Sequence, residues 1–125
     1  MSTLHVNTVE TSSGGAVTLT QQVAAKHWTS WNQTGTLAVA DSFNQSSLTD
    51  EQSAYTTVAF TSNMSNDDYV YSGCCQGSNY GQTVFCEYLT SNKLTSATQV
   101  RTLHNTNNGA QDPDDVMMHT HGDLA

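Results

Sequence analysis

Basic residues are nearly absent from this chain, and small polar ones dominate it. It has three Lys and Arg in 125 residues, against 14 Ser, 19 Thr, 10 Asn and nine Gln. A helical domain needs Glu, Lys, Arg and Leu to clothe its faces, and those residues are scarce here. Thr, Val, Tyr and Phe suit a pleated, half-buried surface, while Ser, Asn, Asp and Gly suit turns. The chain is therefore expected to be all-β. Its hydrophobic content of 36% allows one thin core and favours completing that core by association.

The formal net charge is −8. Three cations cannot build a patch that tracks phosphates, which argues against nucleic-acid binding. No apolar run approaches the roughly 20 residues needed to span a bilayer, so no membrane insertion is expected. Met1-Ser2-Thr3-Leu4-His5-Val6 lacks the basic and apolar stretches of a secretory leader, which points to synthesis in a cytoplasm. The three cysteines are Cys74, Cys75 and Cys86. An odd count with an adjacent pair argues against a disulfide framework. Buried thiols, a Cys74–Cys86 or Cys75–Cys86 cross-strand bridge, and a metal site stay open, with buried thiols favoured.

The pattern along the chain divides it into an arm, residues 1–27, and a sandwich domain, residues 28–125. In the arm, Leu4, Val6 and Thr8 alternate with His5, Asn7 and Val9, Ser12-Ser13-Gly14-Gly15 marks a turn, and Ala16–Thr20 carries Val17 and Leu19. An isolated hairpin of this size is marginal in water, so Leu4, Val6, Val9, Val17 and Leu19 are candidate docking residues. Gln21–Lys26 reads as a linker or single turn. Strands are expected at His27–Asn32, at Thr36–Phe43 with Leu37, Val39, Asp41 and Phe43 on one face, at Ser46–Thr49 and at Ala54–Thr61. Tyr69–Gln76 and Gln82–Leu89 are expected to pair across Gly77–Gly81, and Ala97–Leu103 and Val116–His121 follow. Short strands with regular turn signals indicate an antiparallel β-sandwich, jelly-roll-like, with an extended N-terminal β arm. Trp28, Phe43, Val58 and Phe60 are expected in the core or a subunit interface.

Chemistry-bearing motifs are sparse. His119 and His121 lie at i and i+2, one face of a strand, and are the candidate metal ligands, although two solvated histidines explain the spacing as well. Asp112, Asp114 and Asp115, and Asp67-Asp68, fall in turns and lack the spaced oxygens of a calcium loop. No nucleophile elbow, zinc-protease helix or phosphate loop is present. An enzyme is not expected, nor a cofactor. Asn32, Asn44 and Asn63 sit in glycosylation-type triplets that arise by chance in an Asn/Thr-rich chain. Trp28, Trp31, Tyr69, Tyr71, Tyr80 and Tyr88 are candidates for a sugar-stacking surface, but Tyr69 and Tyr71 alternate as core residues do.

The segment Ser2-Thr3-Leu4-His5-Val6-Asn7-Thr8-Val9, the Gly14-Gly15 turn and the second small strand resemble the attachment ends of marine, cyanophage-like bacteriophage tail-fibre and other virion proteins. Ala25-Lys26-His27-Trp28-Thr29-Ser30-Trp31-Asn32-Gln33-Thr34-Gly35-Thr36 is similar to the start of their small β domains. Asp41–Asn44, Ser47–Asp50 and Tyr55–Thr61 with Met64 continue the likeness, which covers roughly residues 2–70 and more loosely 97–121. The resemblance implies a non-enzymatic virion structural protein, commonly a homotrimer, made in the host bacterial cytoplasm and docked on capsid or tail proteins by its arm. There is no shaft, so a short fibre, spike or capsid decoration is expected. The alternative is a lectin-like host-adhesion module for surface glycans. With the arm facing the particle, the turns at the far end face the medium. The candidate loops are Asn63–Asp68, Gly77–Gly81 and Asn105–Asp115, with Asn66, Asp67, Asn79 and Tyr80 as the candidate contacts.

Overall fold

A computed structural model describes residues 24–76, 83–87, 92–104 and 109–125, the second stretch by its main chain alone. Eight strands run β1 His27–Asn32, β2 Ala38–Phe43, β3 Gln45–Gln52, β4 Tyr55–Phe60, β5 Val70–Gln76, β6 Thr83–Glu87, β7 Ala97–His104 and β8 Asp115–His121. No α-helix occurs among the described residues. Two antiparallel sheets, β2-β1-β8-β5 and β3-β4-β7-β6, pack face to face, as the composition requires. The expected arm residues Leu4, Val6, Val9, Val17 and Leu19 lie outside the described residues, as do Asn79, Tyr80 and Tyr88.

Alternation on four strands builds the core. Trp31, Val116 and Met118 of the first sheet meet Val58 and Val100 of the second, and Phe60, Met64 and Tyr69 form a second cluster at one end. Threonine fills much of the remaining interior: Thr29, Thr56, Thr98, Thr102 and Thr120 are all buried. A β-branched side chain suits the pleat whether its third branch is methyl or hydroxyl. The hydroxyl has a cost, since Oγ1 of Thr29, Thr56 and Thr98 lacks a hydrogen-bond partner, and each such group forfeits about 1–3 kcal/mol. His27 is equally buried and rests edge-on against Phe60, ring centroids 5.0 Å apart.

Five sequence expectations are narrowed or corrected by the structure. Of the four residues expected in the core or a subunit interface, Val58 and Phe60 are core residues, while Trp28 and Phe43 are 39% and 51% exposed, which leaves them the interface alternative; Trp31 is the buried tryptophan. Residues three apart on a strand face opposite ways. The inner face of β1 is His27, Thr29 and Trp31, so Trp28 must point out. The expected single face of β2 is broken by a bulge: Ser30 pairs with Asp41 but Trp31 with Val39, leaving Ala40 as the extra residue. Leu37 therefore packs on the core, while Phe43 pairs with the outward Trp28. The third strand is also longer than expected, reaching Gln52, with the turn at Ser53-Ala54.

The fourth correction concerns β5 and β6, which do not pair with each other. β5 pairs with β8 and β6 with β7, so they lie in different sheets. The cysteine readings change with this. Cys74 is an exposed free thiol and Cys75 a half-buried thiol, so neither cross-strand bridge forms and Cys74 is no buried hydrophobe.

One residue turns the chain between the sheets. Asn44 separates β2 from β3 and has φ 57°, a left-handed value that asparagine tolerates better than most residues. Its Nδ2 donates to the Lys26 carbonyl at 2.9 Å and the Ser62 carbonyl at 3.1 Å, and its Oδ1 accepts from Ser62 N–H at 2.7 Å. Asn44 thus ties the start of β1, the β2–β3 corner and the end of β4 together. The loop after β4 consequently begins at the end of the sandwich where Lys26 enters. Asn63–Asp68 is not at the far end, contrary to expectation.

The far end is held by Asp112. Its carboxylate accepts from Gln33 Nε2 at 3.3 Å, Ala54 N–H at 2.6 Å and Ser53 Oγ at 3.1 Å. Asp114 accepts from Thr34 Oγ1 at 2.9 Å and Asp115 from Ser30 Oγ at 3.1 Å. These acids tie turns to strands, which is the ordinary role of Asp in such positions.

Candidate functional site

The two outer sheet faces differ in chemistry. On the second sheet, Thr57 Oγ1 donates to Glu51 Oε1 at 2.7 Å, Gln99 Nε2 to Thr57 Oγ1 at 3.5 Å and Asn92 Nδ2 to Gln99 Oε1 at 2.6 Å. Arg101 lies over the Tyr55 ring, 5.1 Å from its centroid. Among the described residues, these polar side chains bond one another around a shallow depression of about 230 Å³, with Leu94 exposed beside it.

The first sheet's outer face is apolar by comparison. Strand register sets out its rows. Phe43, Trp28, His119 and Ser72 form one row across β2, β1, β8 and β5, and Asp41, Ser30, Met117 and Cys74 form the next. Val70 lies opposite His121 beyond the first row. Trp28, Phe43, Val70 and Met117 are all large and exposed. Between the rows runs an open groove of about 500 Å³, lined by Trp28, Ser30, Ser72, Cys74, Met117 and His119, with main chain between them. It lies within the volume range of small-ligand sites.

His119 and His121 do share this face, as their spacing predicts, with ring centroids 5.1 Å apart and the rings edge to face. His119 Nε2 is 2.9 Å from Ser72 Oγ. The pair has the distance of a nucleophile and base, but its row contains no carboxylate to orient the imidazole. No three His, Cys, Asp or Glu side chains converge on a cation position among the described residues.

The other sequence-derived candidates scatter. Asn66 and Asp67 are exposed in the loop at the Lys26 end, and Asn66 Oδ1 accepts from Asp68 N–H at 2.9 Å, a local turn bond. Of the proposed stacking aromatics, Trp31 and Tyr69 are buried and Tyr71 packs on the core, so they form no sugar platform. Tyr69 Oη donates to the Leu94 and Ala97 carbonyls at 2.9 and 3.2 Å. Trp28 alone of the described four presents its ring to the outside. Sequence reasoning missed Ser72 and Met117, and it singled out Cys74 without placing it on this face. Period-2 counting from His119 reaches Met117, but the β5 residues join only through the β5–β8 register.

No protein-family model, curated protein or solved structure matches this chain. No helix among the described residues is long and apolar enough to cross a membrane. What the fold defines is an all-β sandwich whose first sheet carries large exposed apolar side chains on its outer face.

Proposed function

We propose that this protein is a non-enzymatic structural component of a bacteriophage particle. It acts as a short trimeric surface appendage, of fibre, spike or capsid-decoration type, docked by its N-terminal arm. The observation that carries the reading is the unequal treatment of the two outer faces. Among the described residues, Glu51, Thr57, Gln99 and Asn92 of one sheet's outer side bond one another, while the other sheet leaves Trp28, Phe43, Val70 and Met117 exposed. Several large apolar side chains exposed on one sheet face, rimmed by polar ones, mark protein contact more often than free surface. The resemblance of residues 2–70 to virion proteins suggests the particle, and the scarcity of cations argues against nucleic acid as the partner.

The test is copurification. The full chain is expected in washed, intact particles at fixed stoichiometry, and a chain lacking residues 1–20 is expected to stay folded but fail to incorporate. Absence of the full chain from particles would refute the reading. A second reading, a lectin-like adhesion module, is favoured by Trp28 alone. Its exposed ring is flanked by the Ser72–His119 and Ser30–Asp115 pairs, the combination that stacks on and hydrogen-bonds a sugar. Saturable binding to host cells that is lost in Trp28→Ala, with no incorporation into particles, would select it.

A further inference from the structure

The groove on the first sheet holds three soft donors and an indole ring. Cys74 and Met117 are directly opposite each other on β5 and β8, a relation that places Cβ atoms about 4.5–5.5 Å apart. His119 is two residues beyond Met117 on the same face, and Trp28 is directly opposite His119 on β1. All four line one groove. Cys74 is exposed, and Met117 is 40% exposed. From these positions we infer that Cys74, Met117 and His119 form a binding site for a soft monovalent cation, Cu(I) or its redox-inert analogue Ag(I), capped by the ring of Trp28.

Four physical points carry the assignment. Thiolate and thioether sulfur select soft cations, whereas carboxylates and carbonyls select Mg²⁺ and Ca²⁺. The donor set here is two sulfurs and one imidazole; of the carboxylates on this face, Asp41 lies on β2 beyond Ser30, and Asp115 accepts from Ser30 Oγ. The His119 ring is held by Ser72 on β5, Nε2 to Oγ 2.9 Å. A ligating histidine is usually fixed in this way through its other nitrogen, which leaves Nδ1 for the metal. An indole face attracts cations through its quadrupole even at an open site. The net charge of −8 further favours cation over anion. Binding involves no redox step. The Cys74 S–H bond breaks, its proton passes to solvent, and the sulfur's electron pair forms the S–metal bond.

The site does not depend on the virion reading, and it is tested on the reduced full-length chain in solution. Ag(I) is titrated against a competing soft chelator, with tryptophan fluorescence as the readout. One tight equivalent per chain is expected, with a fluorescence change that disappears in Trp28→Phe while binding stays within a few-fold. Trp31 is buried on the opposite face and supplies the constant background. Met117→Leu and His119→Gln are each expected to weaken binding at least tenfold, and Cys74→Ser to abolish the tight equivalent. Leucine fits the half-exposed Met117 position, so a folding failure is not expected there, and circular dichroism checks it. Cys75→Ala is expected to bind as the parent does, because Cys75 lies on the inner side of β5, opposite Val116. Unchanged affinity in both Met117→Leu and His119→Gln would show a simple thiol and overturn the site. So would equal competition by Zn(II), or full binding in Cys74→Ser.

Discussion

His27 and Thr120 face each other across β1 and β8 in the interior, with Nδ1 3.3 Å from Oγ1. The histidine is fully buried, its Nε2 has no hydrogen-bond partner, and burial lowers its pKa from 6.5 to about 4. The folded state thus holds His27 neutral where the unfolded chain would charge it.

This makes acid stability the first prediction. The folded pKa lies below the unfolded one, so between about pH 6.5 and 4 the unfolded chain binds the extra proton. Stability is fully present above pH 6.5 and falls as the pH drops toward 4, by up to about 3 kcal/mol in all. Urea midpoints at stepped pH should show the fall, and His27→Phe should flatten it across that window. An equal slope in both proteins would remove His27 as the cause.

The two tryptophans should behave oppositely. Truncating the buried Trp31 to Ala is expected to cost about 3–5 kcal/mol. Trp28→Ala should cost less than about 1.5 kcal/mol in the isolated protein, since its ring is already partly hydrated. Acrylamide should quench Trp28 but hardly touch Trp31, which paired single-Trp variants would resolve. Phe60 belongs with Trp31, and Phe60→Ala should destabilise by a similar amount.

Asn44 tests the corner. Asn44→Ala removes the side-chain bonds to Lys26 and Ser62 and puts a Cβ-bearing residue without a local hydrogen bond at φ 57°. A loss of about 2 kcal/mol or more is expected. Asn44→Gly keeps the backbone freedom and should lose less. If Gly is no better than Ala, backbone strain at this φ is not part of the cost and the lost side-chain bonds account for it; denaturant melts of the pair decide this.

Gly122 is fixed by close approach. A Cβ there would sit 2.7 Å from the Cβ of Tyr69 and 3.3 Å from its Cα. Neither atom is the end of a flexible chain, so the backbone must move. Gly122→Ala should cost about 1–3 kcal/mol and shift Tyr69, which near-ultraviolet circular dichroism would detect.

Much of the architecture was legible in the residues. Strand β1 falls at His27–Asn32 as the alternation predicts, and Thr56, Val58 and Phe60 alternate inward on β4 as they do in sequence. A period of two is a local property, so a single strand reveals it. It also placed His119 and His121 on one face. It does not say which face is inside. On β1 the choice lay between His27, Thr29 and Trp31 on one side and Trp28, Ser30 and Asn32 on the other. The first set won, although it carries a histidine.

Composition and alternation by themselves determined that the chain is all-β, built of short strands, and poor in the residues that make helices or phosphate contacts. Tertiary structure decided which strands pair, and with that which side chains share a surface. Cys74 meets Met117, and Ser72 meets His119, only because β5 crosses to β8 instead of folding back on β6. A hairpin is chosen by its turn, but a long-range pairing is chosen by the core it closes. Here Cys75 and Tyr71 pack inward against the Trp31 and Val116 cluster, and the outer row of β5 is fixed as a consequence.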